Sequence, residues 1–270
     1  TGALGLRTAY TTSATRWNDT TCTDGQSSYE HEQQSCTRPL DTVAPVPTLG
    51  TLPRWGNLPS AGPLTVAVSG TDAGTAPSAL NYRLRWRTTT AGGAGAFSSY
   101  AYGEWTMPDR GRLEGIPLPP GRRVCVSLQA RDMAFNVRTT GYERCFDVPY
   151  DSTGQTFDVS SRWTIVSGST WSGFAVASTT TKGQSILGSS KRYVREIGVV
   201  ATTCPTCGAL AVYVGATKIG TLSLVRSTTT TRALVTLPRL SQRRYGTVSF
   251  VVSSSSGRLV RVDSVAVSGV

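Results

Sequence analysis

Histidine is almost absent from this chain: His31 stands alone among 270 residues. Any Ser-His-Asp or Cys-His mechanism would have to run through it. Glu30 and Glu32 flank it, but only as sequence neighbours in a polar stretch, and no strained nucleophile turn occurs elsewhere. A solvated loop residue is the reading of His31 we adopt, with a weak metal contact as the alternative. Acidic residues number only 16, and they are scattered singly, whereas glycoside hydrolysis needs two carboxyls facing across a cleft. Asp132 and Asp263 read as turn or strand-end residues that satisfy backbone groups. No glycine-rich phosphate loop follows a strand and opens a helix, so nucleotide chemistry has no basis. No enzyme activity, cofactor, metal or nucleic-acid partner is expected. No apolar run approaches the roughly 20 residues of a membrane helix, and no leader-like segment opens the chain, so a mature or processed exported form without membrane insertion is expected.

Methionine is also rare, at 2, and charged residues make up 16%. With helix formers scarce and Thr, Ser, Gly and Val abundant, the expected fold class is all-β. The charge that is present is one-sided, +11 with a pI near 9.8. Only Lys182, Lys191 and Lys218 of the 27 basic residues are lysines, leaving 24 arginines. That points to anionic partners. Outward strand positions filled with Arg would give the same excess without a ligand.

Six cysteines fall into three close pairs: Cys22 with Cys36, Cys125 with Cys145, and Cys204 with Cys207. Such spacing is that of local disulfides in an oxidising compartment, hence of a secreted or cell-surface protein. Cys204-Pro205-Thr206-Cys207 also has the spacing of a redox dithiol or half a zinc site. Strand-like sequence follows it instead of a helix, and no second cysteine pair is left over, so a disulfide clip is expected.

Two phrases punctuate the chain, CTRPLDTVAPVP at Cys36 to Pro47 and CFDVPYDSTG at Cys145 to Gly154. Each reads as a strand leaving one module and entering a linker. The expected organisation is a disulfide-clipped N-terminal segment over 1–42 and two consecutive β-sandwich domains over 43–150 and 151–270. In the middle part, Leu80, Tyr82, Leu84 and Trp86 alternate with Arg83, Arg85 and Arg87, so an apolar face backs onto an arginine stripe. Val124, Val126, Leu128 and Ala130 are expected inward and Cys125, Ser127 and Gln129 outward. If Phe146 and Val148 also face inward, Cys145 shares the outer side with Cys125, and the pair can bridge neighbouring strands at a gain of about 3 kcal/mol.

The stretch PLPPGRRVCVSLQARDMAFNVR, from Pro117 to Arg138, resembles the fibronectin type III pattern of bacterial secreted proteins. Val124 replaces a usual tyrosine and Phe135 a usual turn glycine. The last part carries Trp163, Trp171 to Phe174, Val212-Tyr213-Val214, Gly246-Thr247-Val248 and Val262 to Val267. It is similar to the galactose-binding-like jelly roll, many of whose members bind carbohydrate. Gly215-Ala216 suggests a hairpin there.

Trp171, Phe174 and Tyr193 lie in Ser-, Thr- and Gly-rich stretches that read as loops, where flat rings stack on sugars. Core packing is the alternative, as for Trp86 and Trp163. Lys191, Arg192 and Arg195 add charge beside them. The expected function is non-catalytic binding of glycan or an anionic cell-wall polymer. The alternatives are a structural or adhesive module that docks a surface protein through the arginine stripe, and an accessory region of a larger secreted enzyme.

Overall fold

The computed structural model describes residues 41–56, 64–92, 95–108, 110–152, 157–171 and 175–269. Cys22, His31 and Cys36 of the expected N-terminal clip, and Phe174 of the expected stacking rings, lie outside the described residues. Among the described residues the regular structure is all strand apart from one short 3-10 turn, Pro77–Ala79. The all-β class holds.

The first half builds two sheets. One has the order β1 (Val46–Leu49), β2 (Val66–Thr71), β5 (Arg112–Leu113). The other runs β4 (Ala101–Tyr102), β3 (Asn81–Thr90), β6 (Arg122–Arg131), β7 (Val137–Thr139), with β8 (Arg144–Asp147) also paired to β6. Alternation of period two sets their inner faces. Val66 and Val68 of one sheet and Tyr82, Leu84, Val124, Val126, Leu128 and Phe146 of the other form one buried cluster. Trp86 packs against it only half-buried.

In the second half β9 (Tyr150–Asp151) leads into two five-strand paths. The first is β10 (Phe157–Val159), β13 (Ser185–Val194), β18 (Arg244–Val252), β15 (Ala209–Val214), β16 (Thr217–Ser223). The second is β11 (Thr164–Ser167), β12 (Ala175–Thr179), β19 (Val260–Ser268), β14 (Glu196–Thr203), β17 (Thr230–Thr236). Ile186, Val194, Leu210, Val212 and Phe250 from one meet Ile197, Val199, Val262, Val265 and Val267 from the other in a second buried cluster, with Trp163. The β15–β16 hairpin turns at Gly215, whose φ of 59° suits glycine.

Cys125 and Cys145 sit directly opposite one another on β6 and β8 and are bonded. Cys204 and Cys207 close the corner between β14 and β15. One expectation of parity needs correcting. Cys125 and Ser127 do face away from the core, yet both are buried, because the outer face of this sheet is itself covered.

The stretch around Pro149 reads in sequence as a free linker, and the structure differs. Tyr150 and Asp151 pair with Val265 and Ser264 of β19. The Tyr150 hydroxyl donates to the Ala91 carbonyl at 2.7 Å, and its ring meets Phe157 edge-on at 5.5 Å. Gly121 lets this happen: at φ 68° a Cβ there would fall 2.3 Å from the Tyr150 ring. Beside it, the Tyr193 amide donates to the Gly92 carbonyl at 2.7 Å. Arg54 then reaches Glu196 at 2.6 Å, the buried Asp147 at 3.5 Å and the Ser268 hydroxyl. Burial pushes the Asp147 carboxyl up, against the pull of Arg123 and Arg54. The linker is anchored at both ends, Val148 in the first cluster and Tyr150 in the second, because these side chains gain more by burial than extended chain gains by freedom.

The two clusters should therefore unfold in a single calorimetric transition. Tyr150→Ala should cost about 3–5 kcal/mol, by analogy with other large aromatic truncations, and split that transition in two. Two transitions already present in the wild-type chain would contradict this.

Candidate arginine–aromatic binding face

Four functional candidates of the sequence do not form one site. The sequence reads Tyr193 as a loop residue with Lys191, Arg192 and Arg195 beside it, but β13 runs through Val194 and strand parity separates them. Lys191 is exposed and Tyr193 half-buried on one side. Arg192 turns inward and is 4% exposed, its guanidinium 4.6 Å from the Tyr150 ring centre and 5.0 Å from that of Phe157. So enclosed, it packs within the second half and offers no charge to a polymer. Arg195 is half-buried, its amide donating to the Ser268 carbonyl at 2.7 Å. Trp171 is half-buried on the loop after β11, with Arg261 of β19 5.9 Å from its ring. That places it on the other sheet from Tyr193. Tyr193 instead meets Tyr245 at 4.9 Å, with Arg243 over its ring at 4.2 Å.

The larger constellation is the face that covers Cys125 and Ser127. It starts from the outward residues of β3, Arg83, Arg85 and Arg87. Their Nε atoms are held from one side: Arg83 donates to Gln129 Oε1 at 2.6 Å and Arg85 to Ser127 Oγ at 2.7 Å. Arg87 donates through Nε and Nη2 to Glu143 Oε2 at 3.2 and 2.6 Å.

The segment after β3 returns alongside it. Ser98 and Gly103 donate to the Thr88 and Leu84 carbonyls at 2.8 and 2.9 Å, and Thr106 exchanges both backbone bonds with Tyr82. This registers four aromatic rings against the arginines. Arg83 lies 4.7 Å from the Tyr102 ring centre and 4.5 Å from that of Trp105. Arg85 lies 4.2 Å from Tyr100, and Arg87 4.5 Å from Phe97. Arg131 extends the series, 4.6 Å from Trp105 and 5.1 Å from Phe135. Each such contact contributes about 0.5–1 kcal/mol at an exposed site and fixes the guanidinium plane.

Glu143 anchors the end of the series. Burial alone would raise its carboxyl, but the Tyr100 hydroxyl, donating at 2.6 Å, and Arg87 together hold it below its usual value. The same bond to Glu143 raises the Tyr100 phenol, and burial adds to it. Among the described residues Arg83, Arg85 and Arg131 form no ion pair, although Arg85 lies close enough to Glu143 to help lower its carboxyl. Oriented guanidinium groups spaced about 7 Å apart along a strand, with the single carboxylate Glu143 at one end, suit a row of carboxylates or phosphates. Tyr102 is 49% and Phe97 37% exposed, so apolar ring surface stays available beside the charge.

The other places suit less. A shallow cleft of about 800 Å³ is lined by Thr65, Arg110, Arg112 and Glu114, which is polar and open where small-molecule sites are enclosed and apolar. Asp132 satisfies backbone as expected, accepting from the Asn136 amide at 2.8 Å. Asp263 holds Arg232 in an ion pair at 2.9 Å and is fully buried. Asp41, Asp72 and Asp132 form the one group among the described residues able to hold a metal ion.

No family model matches the chain, and no curated protein matches it. The face thus stands on its geometry.

The Arg stripe and the outward Gln129 are visible in sequence, whereas Phe97, Tyr100, Tyr102, Trp105 and Glu143 gain their place only from the fold. The alternation Tyr100-Ala101-Tyr102 after an Arg-x-Arg-x-Arg strand is the signal that pairs them. A pH prediction follows from Glu143. A carboxyl lowered on folding contributes stability that is present above its unfolded value, near 4.5, and is lost as pH falls through the folded value. The stability difference between wild type and Glu143→Gln should therefore shrink on acidification below pH 4.5. Chemical denaturation across that range measures it, and a difference that stays constant would remove Glu143 from its anchoring role.

Proposed function

We propose that this chain is a non-catalytic binding region of an exported protein, and that it recognises an anionic polymer of the cell envelope or an acidic glycan. The observation that carries the reading is the arginine–aromatic face. Guanidinium groups are held in plane by rings on one side and by Gln129 and Ser127 on the other. Pre-orientation of this kind reduces the ordering cost of binding.

The strand orders support the two resemblances. A β1-β2-β5 sheet against β4-β3-β6-β7/β8 fits a fibronectin type III sandwich over 43–150. Successive strands from β12 to β15 and from β16 to β19 alternate between the two sheets of the second half, with two hairpin steps within a sheet, which fits a jelly roll over 151–270. Export is supported by the two disulfides, Cys125–Cys145 and Cys204–Cys207. No helix among the described residues is long and apolar enough to cross a membrane.

A second reading is docking of a surface protein. It is favoured by exposed Met107, Met133 and Phe135 beside the arginine face. Charge and apolar contact respond differently to salt.

On a poly(glycerol phosphate) or polygalacturonate column, the wild-type chain should be retained at low salt and released as salt rises, while a neutral β-glucan should not retain it. Arg83→Gln combined with Arg85→Gln should weaken polyanion binding on the order of tenfold or more, each charged hydrogen bond being worth about 1.5–3 kcal/mol. Retention on neutral glucan, insensitive to salt and to these substitutions, would defeat the anionic reading.

A further inference from the structure

Three acidic side chains from separate segments converge away from the arginine face. Asp41 precedes β1, Asp72 follows β2, and Asp132 follows β6. One ligand-type oxygen of each lies within 4.8 Å of the others. Asp132 is 2% exposed, and among the described residues no Lys or Arg is ion-paired with any of the three.

Asn136 Nδ2 donates to Asp132 Oδ2 at 2.9 Å and to the Asp41 carbonyl at 2.8 Å, and its amide takes Asp132 Oδ1. The amides of Val43 and Gly74 donate to Asp41 Oδ1 at 3.0 Å and to Asp72 Oδ2 at 3.1 Å. That leaves Asp41 Oδ2 and Asp72 Oδ1, both shut off from solvent and both without a hydrogen-bond donor among the described residues. The loop holds a third such atom, Thr75 Oγ1, on a side chain 5% exposed. Gly74 brings this loop against the first of them: a Cβ there would fall 2.3 Å from Asp41 Oδ2.

A buried carboxylate oxygen that has lost water and gained no donor is costly, and three carboxylates this close also repel. A cation removes both costs at once. We propose that Asp41, Asp72 and Asp132 bind a calcium ion that ties the start of β1 to the loops after β2 and β6. The donors are all oxygen, which selects a hard cation. Calcium–oxygen distances of about 2.3–2.6 Å let one ion span ligands up to about 5 Å apart, which accommodates the observed cluster. Water and loop carbonyls would fill the remaining positions.

The test uses the full chain after treatment with EGTA, titrated with CaCl2 by calorimetry and followed by thermal unfolding. One ion per chain should bind with a Kd of about 0.1–1 mM, the range of extracellular calcium modules, and the unfolding midpoint should rise. Asp72→Asn should weaken binding by at least about tenfold, since affinity follows the count of charged ligands. Asp41→Asn serves the same end should Asp72→Asn fail to fold. Asp158→Asn, on an exposed residue of β10 outside the cluster, should leave binding unchanged. No binding up to roughly 10 mM calcium, ten times the weak end of that range, would overturn the proposal. So would equal calcium affinity in both cluster variants, or magnesium binding as tight as calcium.

Discussion

The pairing of β3 with β6 is the constraint on which the first half depends. The two strands run antiparallel from Asn81 opposite Arg131 to Thr90 opposite Arg122 without a break in register. In that register Tyr82, Leu84, Val124, Val126 and Leu128 enter the core and Arg83, Arg85 and Arg87 leave it. A slip by one residue would drive three guanidinium groups into the apolar layer, so the alternative registers are strongly disfavoured. The disulfide from Cys125 to Cys145 then fixes β8 on the other side of β6. Once the stripe is outside, its long side chains need cover, and the segment from Phe97 to Trp105 supplies it. The arginine–aromatic face is thus a consequence of core packing, seen from the opposite side of the same strand.

The junction between the halves follows a similar logic. Arg54 reaches across it to Glu196 and the Ser268 hydroxyl while also pairing with the buried Asp147. Buried charges of this kind contribute little net stability but penalise any other packing of the two halves. The result is a fixed relation between the arginine–aromatic face and the smaller exposed group around Lys191, Tyr193, Arg243 and Tyr245. A polymer that reached both would meet them without the entropy of a flexible linker.

Much of this was legible in the sequence for a physical reason: strict alternation over ten residues has only one fold-level meaning. The core of β3 and β6, the Cys125–Cys145 and Cys204–Cys207 bonds and the hairpin at Gly215 all follow from local pattern. Arg192 was not legible, because Gly188-Ser189-Ser190 looks like a loop. In the structure β13 passes through these residues with a register shift between Leu187 and Lys191. Nor was the embedded linker, since Tyr150 acquires its meaning from Ala91, Gly121 and Phe157, all distant in sequence. Phe135 is a mixed case. The resemblance to fibronectin type III places a turn glycine there, and the chain does adopt φ 65°, at a cost of about 1–3 kcal/mol for a bulky residue. Stacking beneath Arg131 offsets part of that cost.

The central claim is that oriented arginines on β3 are what a polyanion meets. Two-dimensional NMR of the arginine Nε–H and tryptophan indole signals, recorded while a short poly(glycerol phosphate) is added, tests it most directly. The account predicts that the Arg83 and Arg85 Nε–H signals and the Trp105 indole signal shift together and saturate together, with the buried Arg192 unmoved. Shifts confined to Trp171 and Arg243, or no shift on β3 at saturating polymer, would contradict it.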